Sequence, residues 1–171
     1  GIKLAQAFRR QHGLDFISAI PTSLYGPGDN FDAESGHVIP GLMRKAHEAR
    51  RDGAYGITVW GSGAPLREFM HVDDLADALV MLLECYSAHE PINVGSGVEI
   101  SIRALAALVC RTVGFEGSLH FDTSRPDGTP RKLIDSSELT ALGWRPRIDL
   151  ATGLAGLYNL FLRHTNHKVR A

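Results

Sequence analysis

Asp15-Phe16-Ile17-Ser18-Ala19-Ile20 runs directly into Pro21-Thr22-Ser23-Leu24-Tyr25-Gly26-Pro27-Gly28-Asp29-Asn30-Phe31, and Ser35-Gly36-His37-Val38-Ile39-Pro40 follows a few residues later. Residues 15–20 read as a strand, and the prolines and glycines after them read as a long loop. Open α/β sheets bind ligands at the carboxyl ends of their strands. The loop is therefore expected to be a site rather than a linker.

Helices and short strands alternate on both sides of it. Ile2, Ala5, Phe8 and Arg9 recur at helical spacing and Gly13 supplies a stop, which predicts a helix over 2–12. Further helices are expected at 38–51, from Asp73 to about Tyr86, and at 102–113, 136–142 and 150–163; strands are expected at 57–60, 67–71, 92–94 and 119–122. Asp73 and Asp74 suit a helix start as caps, Ser101 suits an N-cap, and Gly114 and Gly143 suit helix ends. Leu154, Leu157, Tyr158 and Phe161 form the buried stripe of the last helix. The polar segment 123–132, with two prolines and a glycine, reads as an exposed loop. This alternation predicts an α/β fold. No domain boundary is evident, although the strands before and after the long loop are assignable to two lobes.

With 171 residues and 44% hydrophobic content, the chain is long enough for one domain with a sizeable core. Lys and Arg are interspersed with Asp and Glu and the net charge is -1, which gives no general electrostatic reason to bind nucleic acid or an acidic membrane. Cys85 and Cys110 match neither a metal-ligand spacing nor a secreted disulfide framework, so no metal site and a reducing, cytoplasmic setting are expected. The most apolar run, 75–85, is too short for a membrane span and carries Asp77 and Glu84. The first residues lack Met and begin inside a helical pattern, so the chain reads as a fragment.

Four groups of residues carry candidate chemistry. His37 can give or take a proton near neutrality and stands in the loop where a substrate would arrive; its alternative is a histidine that helps cap the helix from Val38. In Val59-Trp60-Gly61-Ser62-Gly63-Ala64-Pro65-Leu66-Arg67-Glu68-Phe69, the glycines allow a tight backbone, the indole a flat surface and the arginine a fork for phosphate. The competing reading is a hairpin with a core Trp60 and a surface Arg67–Glu68 pair. Asp127, in Pro126-Asp127-Gly128-Thr129-Pro130-Arg131-Lys132, suits hydrogen bonds from a base or ribose, and Arg131 or Lys132 suits phosphate or loop support; an exposed charged turn is the alternative. His71-Val72-Asp73-Asp74-Leu75-Ala76 reads as structural, with His71 a hydrogen-bonded support.

The His37 loop resembles the corresponding segment of the GDP-L-fucose synthases, NADPH-dependent epimerase–reductases of the extended short-chain dehydrogenase/reductase superfamily. The segments holding Trp60, Arg67 and Asp127 resemble the same family, and His71–Ala76 resembles the superfamily at large. The resemblance spans essentially all 171 residues and is to the C-terminal half of such an enzyme. It implies an incomplete Rossmann-type sheet with a small substrate-binding lobe, the dinucleotide-binding half lying upstream. It also implies catalysis by His37; contacts to NADP(H) from Pro21, Thr22, Ser23, Leu24 and His37; contacts to a GDP-sugar from Lys45, Trp60, Arg67 and Asp127; and a homodimer that uses the helix from Ile2. Ser23 departs from the family's usual Asn, which leaves a hydroxyl where an amide is common.

The implied reaction converts GDP-4-keto-6-deoxy-D-mannose to GDP-L-fucose: inversion at C3 and C5, with His37 as the acid, then reduction at C4. The Gly-rich phosphate loop and the Tyr-x-x-x-Lys pair of a complete member do not occur in these residues, so the fragment alone is expected to be inactive. Two alternatives stand beside this reading: another nucleotide-sugar epimerase or dehydratase of the superfamily, and a non-catalytic nucleotide-sugar-binding module.

Overall fold

The computed structural model describes residues 1–32 and 36–168. Ser35, quoted above with the histidine loop, lies outside the described residues. The elements run α1 (Ile2–His12), β1 (Ala19–Pro21), β2 (Ser23–Tyr25), α2 (Val38–Arg51), β3 (Gly56–Trp60), β4 (Leu66–His71), α3 (Val72–Cys85), β5 (Ile92–Val94), β6 (Glu99–Ser101), α4 (Ile102–Val113), β7 (Ser118–Asp122), β8 (Arg131–Lys132), α5 (Ser137–Ala141) and α6 (Leu150–Lys168).

Among the described residues the strands form three sheets: the parallel pairs β1–β5 and β3–β7, and a mixed sheet built on β4. Strand β4 pairs in parallel with β2 along its second half, and with β8 in parallel and β6 in antiparallel along its first. Successive side chains of a strand point to opposite faces, and β4 uses both. Phe69 joins a core made with α2, α4 and α6, whereas Met70 joins a second core made with α3, β5 and Trp144. Strand β2 divides in the same way, with Leu24 packed against the second core and Tyr25 inside the first. The β2–β4 pair thus separates two apolar clusters.

The helices follow their sequence signals. Ser101 Oγ accepts from the Ala104 N–H at 3.1 Å and caps α4, which ends at a left-handed Gly114. Leu154, Leu157, Tyr158 and Phe161 are all buried on α6, as the stripe requires. Complete burial of a leucine such as Leu154 contributes about 1.5–3 kcal/mol.

Several expectations are corrected. The first strand is 19–21 rather than 15–20, because the Asp15 carboxylate is drawn to Arg9 and to Ser87. Three segments read as loop or turn contain short strands, β2, β6 and β8, each held by pairing to β4. The short helix spans 137–141 rather than 136–142, and the last helix continues past Arg163 to Lys168. Tyr25 is in the first core, where burial, with Asp149 and Asp74 nearby, pushes its phenol well above the usual range. Asp74 does not act as a cap: it is buried and accepts the Arg147 and Ile148 N–H groups at 3.0 and 3.1 Å, which ties the chain ahead of α6 to α3. The cap of α3 is His71, whose Nδ1 accepts from the Asp73 N–H at 3.2 Å.

Candidate functional site

A cleft of about 450 Å³ is lined by Ser23 and Leu24 of β2, the first turn of α2 from His37 to Pro40, Trp60 at the end of β3, Arg67 and Phe69 of β4, Ile102 and Lys132. Six of the residues singled out in the sequence meet here: Ser23, Leu24, His37, Trp60, Arg67 and Lys132. A second recess of about 460 Å³ lies along Arg131 and Leu133–Ser137 and contains none of these six.

His37 precedes α2 in an extended conformation and makes no side-chain cap bond, so the capping alternative is not what its ring does. Its Nδ1 instead lies 3.1 Å from Asp29 Oδ1, eight residues back in the loop. The imidazole is 76% exposed at the mouth of the cleft, while Asp29 is 8% exposed.

The opposite wall is held by a network of short contacts. Gly61 and Gly63 both have left-handed backbones, with φ of 80° and 76°. A Cβ on Gly61 would meet the Asp127 carboxylate, and one on Gly63 would meet the Phe121 ring, so glycine is needed for the close approach itself. In the space so opened, Asp127 accepts from the Ser62 N–H at 2.9 Å and from the Ser62 hydroxyl at 2.6 Å. The Ser62 hydroxyl first, and its N–H second, hold the Asp127 carboxyl below the usual carboxylate range. Arg103 lies over Phe121, 3.7 Å from the ring centroid, and donates to the Ser62 carbonyl at 2.7 Å.

Trp60 is 65% exposed, which removes the core-Trp hairpin, and Glu68 is 1% exposed, which removes the surface Arg67–Glu68 pair. Lys45 Nζ and Arg125 Cζ lie 5.1 and 5.3 Å from the Trp60 ring centroid, within cation–π range. Arg67 spends one Nη on the Leu66 carbonyl at 2.7 Å and lines the cleft. The two basic candidates of the 126–132 segment part company. Arg131 makes a two-pronged pair with Glu99, both bonds 2.7 Å, whereas Lys132 lines the cleft.

Pro21, Thr22, Lys45 and Asp127 are not in the cleft lining. Thr22 is occupied with the fold: its N–H donates to the Val94 carbonyl at 3.0 Å and its hydroxyl to the Glu68 carbonyl at 3.3 Å. Lys45 reaches the site through the Trp60 ring, and Asp127 through Ser62.

Sequence reasoning missed the partners that aim these groups: Asp29, Ser62, Arg125 and Glu68. Buried Glu68 accepts from the Gly97 N–H at 2.7 Å and the Ile134 N–H at 3.2 Å, clasping the two segments beside β8. Its position next to Arg67 on a strand was the available signal, since neighbouring strand residues face opposite ways. No three His, Cys, Asp or Glu side chains gather as metal ligands among the described residues. No helix among them is long and apolar enough to cross a membrane.

Residues 1–95 match the NAD dependent epimerase/dehydratase family. The chain belongs to that family. Among its relatives within the family, "GDP-L-fucose synthase 1" of Arabidopsis thaliana is 58% identical over 164 residues, covering 96% of this chain and 51% of that protein. "GDP-L-fucose synthase" of Escherichia coli K12 is 48% identical, covering 96% of this chain and 54% of that protein. The chain thus spans about half the length of the curated relatives it matches. A structure described as a GDP-L-fucose synthetase from Naegleria fowleri bound to NADP superposes with a TM-score of 0.89 at 31% identity, over 96% of this chain and 54% of that one.

The family's name implies a nicotinamide cofactor, and the cleft suits its reactive end. The Ser23 hydroxyl, which has no hydrogen-bond partner among the described residues, and the apolar Leu24 line the same cleft as His37. That combination matches a flat ring bearing a carboxamide.

Proposed function

We propose that this chain is the C-terminal, substrate-holding portion of a cytoplasmic enzyme that converts GDP-4-keto-6-deoxy-D-mannose to GDP-L-fucose with NADPH. The observation that carries this reading is the meeting of a histidine, an exposed tryptophan and an arginine fork in one 450 Å³ cleft. Relatives named GDP-L-fucose synthase, 58% and 48% identical over nearly the whole chain, support it. In this reading the full-length protein is a homodimer, and the exposed apolar residues Ile2, Leu4 and Phe8 of α1 are available for that contact.

Each wall has its task. Trp60 offers a face to the guanine, with Lys45 and Arg125 beside it, while Arg67 and Lys132 meet the diphosphate and Asp127 accepts from base or ribose. Ser23 and Leu24 hold the nicotinamide end of NADPH, with the backbone of Pro21 and Thr22 behind them. When bound, NADPH supplies the hydride that reduces C4.

The C4 ketone acidifies the protons on C3 and C5, and a base contributed by the upstream half removes each in turn. His37 returns a proton on the opposite face, which inverts the centre. The test is product identification in a full-length protein, made by joining this chain to the upstream half of its Arabidopsis relative. That enzyme should yield GDP-L-fucose from the keto sugar and NADPH, and its His37→Asn variant should release a C4-reduced sugar with C3 and C5 uninverted, such as GDP-D-rhamnose. Fully inverted product from His37→Asn at the parent rate would remove His37 from the mechanism.

A further inference from the structure

We propose that Asp29 is the positioning residue of the acid, holding the His37 ring through Nδ1 so that Nε2 is the nitrogen that delivers the proton. This rests on the reading of His37 as the acid. The geometry behind it is local. Asp29 Oδ1 is 3.1 Å from His37 Nδ1, and the Asp29 side chain is 92% shielded although the histidine itself is open to the cleft. A buried carboxylate aimed at an exposed imidazole is the reverse of a surface ion pair, in which both groups are solvated.

The Asp29 backbone is also built for this aim. Its N–H donates to the Gly26 carbonyl at 3.2 Å, and Gly26 has a φ of 143° and lies against Val72 and His71, where a Cβ would collide with the Val72 side chain. The turn that presents Asp29 is therefore braced on the start of α3. Asp29 Oδ1 also accepts from the Asn30 N–H at 2.8 Å, and Oδ2 is buried with no hydrogen-bond partner among the described residues. His37 is thus the one side chain among the described residues that donates to this carboxylate, and its Nε2 has no protein partner among them.

A carboxylate only accepts, so the Nδ1 facing it carries hydrogen. In the imidazolium both ring nitrogens are protonated. On transfer, the Nε2–H bond breaks, a C–H bond forms at the enolate carbon, and the N–H electron pair stays on Nε2. The ring is left as the neutral Nδ1–H tautomer, and the bond to Asp29 persists unchanged. The exposed Nε2 then regains a proton from solvent. The acid therefore completes a cycle without turning its ring, and the wrong tautomer is disfavoured throughout.

Two measurements test this. In the 171-residue chain at alkaline pH, long-range proton–nitrogen correlation spectra should show His37 as the Nδ1–H tautomer, shifting in Asp29→Ala toward the Nε2–H form that free imidazole side chains favour in water. A parent already in the Nε2–H form, or an unchanged tautomer in Asp29→Ala, would overturn the proposal. In the joined full-length enzyme, Asp29→Ala should slow deuterium entry at C3 and C5 by about 10–100-fold, the scale on which a histidine's orienting carboxylate acts, and leave the affinity for GDP within about twofold. Parent-level exchange in Asp29→Ala beside a dead His37→Asn would overturn the role of Asp29 and leave the acid in place. Loss of GDP binding together with exchange would likewise overturn it, in favour of loop construction. Parent-level exchange in His37→Asn would instead overturn the acid itself.

Discussion

The two walls of the cleft are built on opposite principles. On one side, Ser62, Asp127 and Arg103 interlock three segments of chain around two left-handed glycines, so the groups beside Trp60 and Arg67 have little freedom. On the other, His37 stands in the open and is steered by one contact to Asp29. A wall that recognises a nucleotide gains by being set before the ligand arrives, because ordering costs are met in folding. An acid that must exchange its proton with water each cycle gains by exposure. In the proposed function, this difference divides the work into binding on the interlocked wall and proton transfer on the open one.

Substitutions on the two walls should therefore have separate effects. The largest is expected at His37: the Asn variant of the joined enzyme should lose about 10²–10⁴-fold in C3 and C5 inversion, the usual contribution of a positioned proton donor, measured by solvent deuterium incorporation. Next is Arg67→Ala, which should weaken GDP-sugar binding by roughly 1.5–3 kcal/mol, the range for hydrogen bonds to charged groups, as read by calorimetry. Unchanged affinity would remove Arg67 from the binding wall.

Ser62→Ala probes the interlock itself. Loss of the hydroxyl that anchors Asp127 should weaken nucleotide binding by about 3–10-fold, the effect of one ordinary hydrogen bond. The sign of the pH dependence follows from the depressed Asp127 carboxyl. The clamp is fully present above the unfolded carboxylate value of about 3.9 and is lost as pH falls through the lower folded value. GDP affinity should accordingly show no Asp127 titration between about pH 5 and 8, and an inflection there that vanishes in Asp127→Asn would contradict the clamp. The smallest effect on function belongs to Ser101→Ala. Loss of the α4 cap should cost about 1 kcal/mol of stability, read by denaturant melting, with both binding and exchange unchanged.

Much of the architecture was legible because it rests on local signals. The caps and stops of α1 and α4, the stripe of α6 and the alternation of helix and strand are all written within single turns of chain. What escaped the sequence was made by distance. Strand β2 is held by β4, 46 residues away in the Ser23–Phe69 pair, and no period in three residues announces it. Asp74 read as a cap because its neighbours suit one, yet its carboxylate binds amides 73 and 74 residues downstream. The candidate site divides along the same line. His37, Trp60 and Arg67 were visible as reactive or ligand-binding residue types beside glycine and proline, whereas Asp29, Ser62 and Arg125 became visible only when the fold brought them to those residues.

The division of labour is tested most directly by measuring two quantities, the dissociation constant for GDP and the rate of deuterium entry at C3 and C5 under saturating substrate, on His37→Asn and Arg67→Ala side by side in the joined enzyme. The account expects the variants to separate: His37→Asn with GDP affinity intact and exchange lost, Arg67→Ala with affinity lost and exchange at saturation retained. Parallel loss of both quantities in both variants would contradict it.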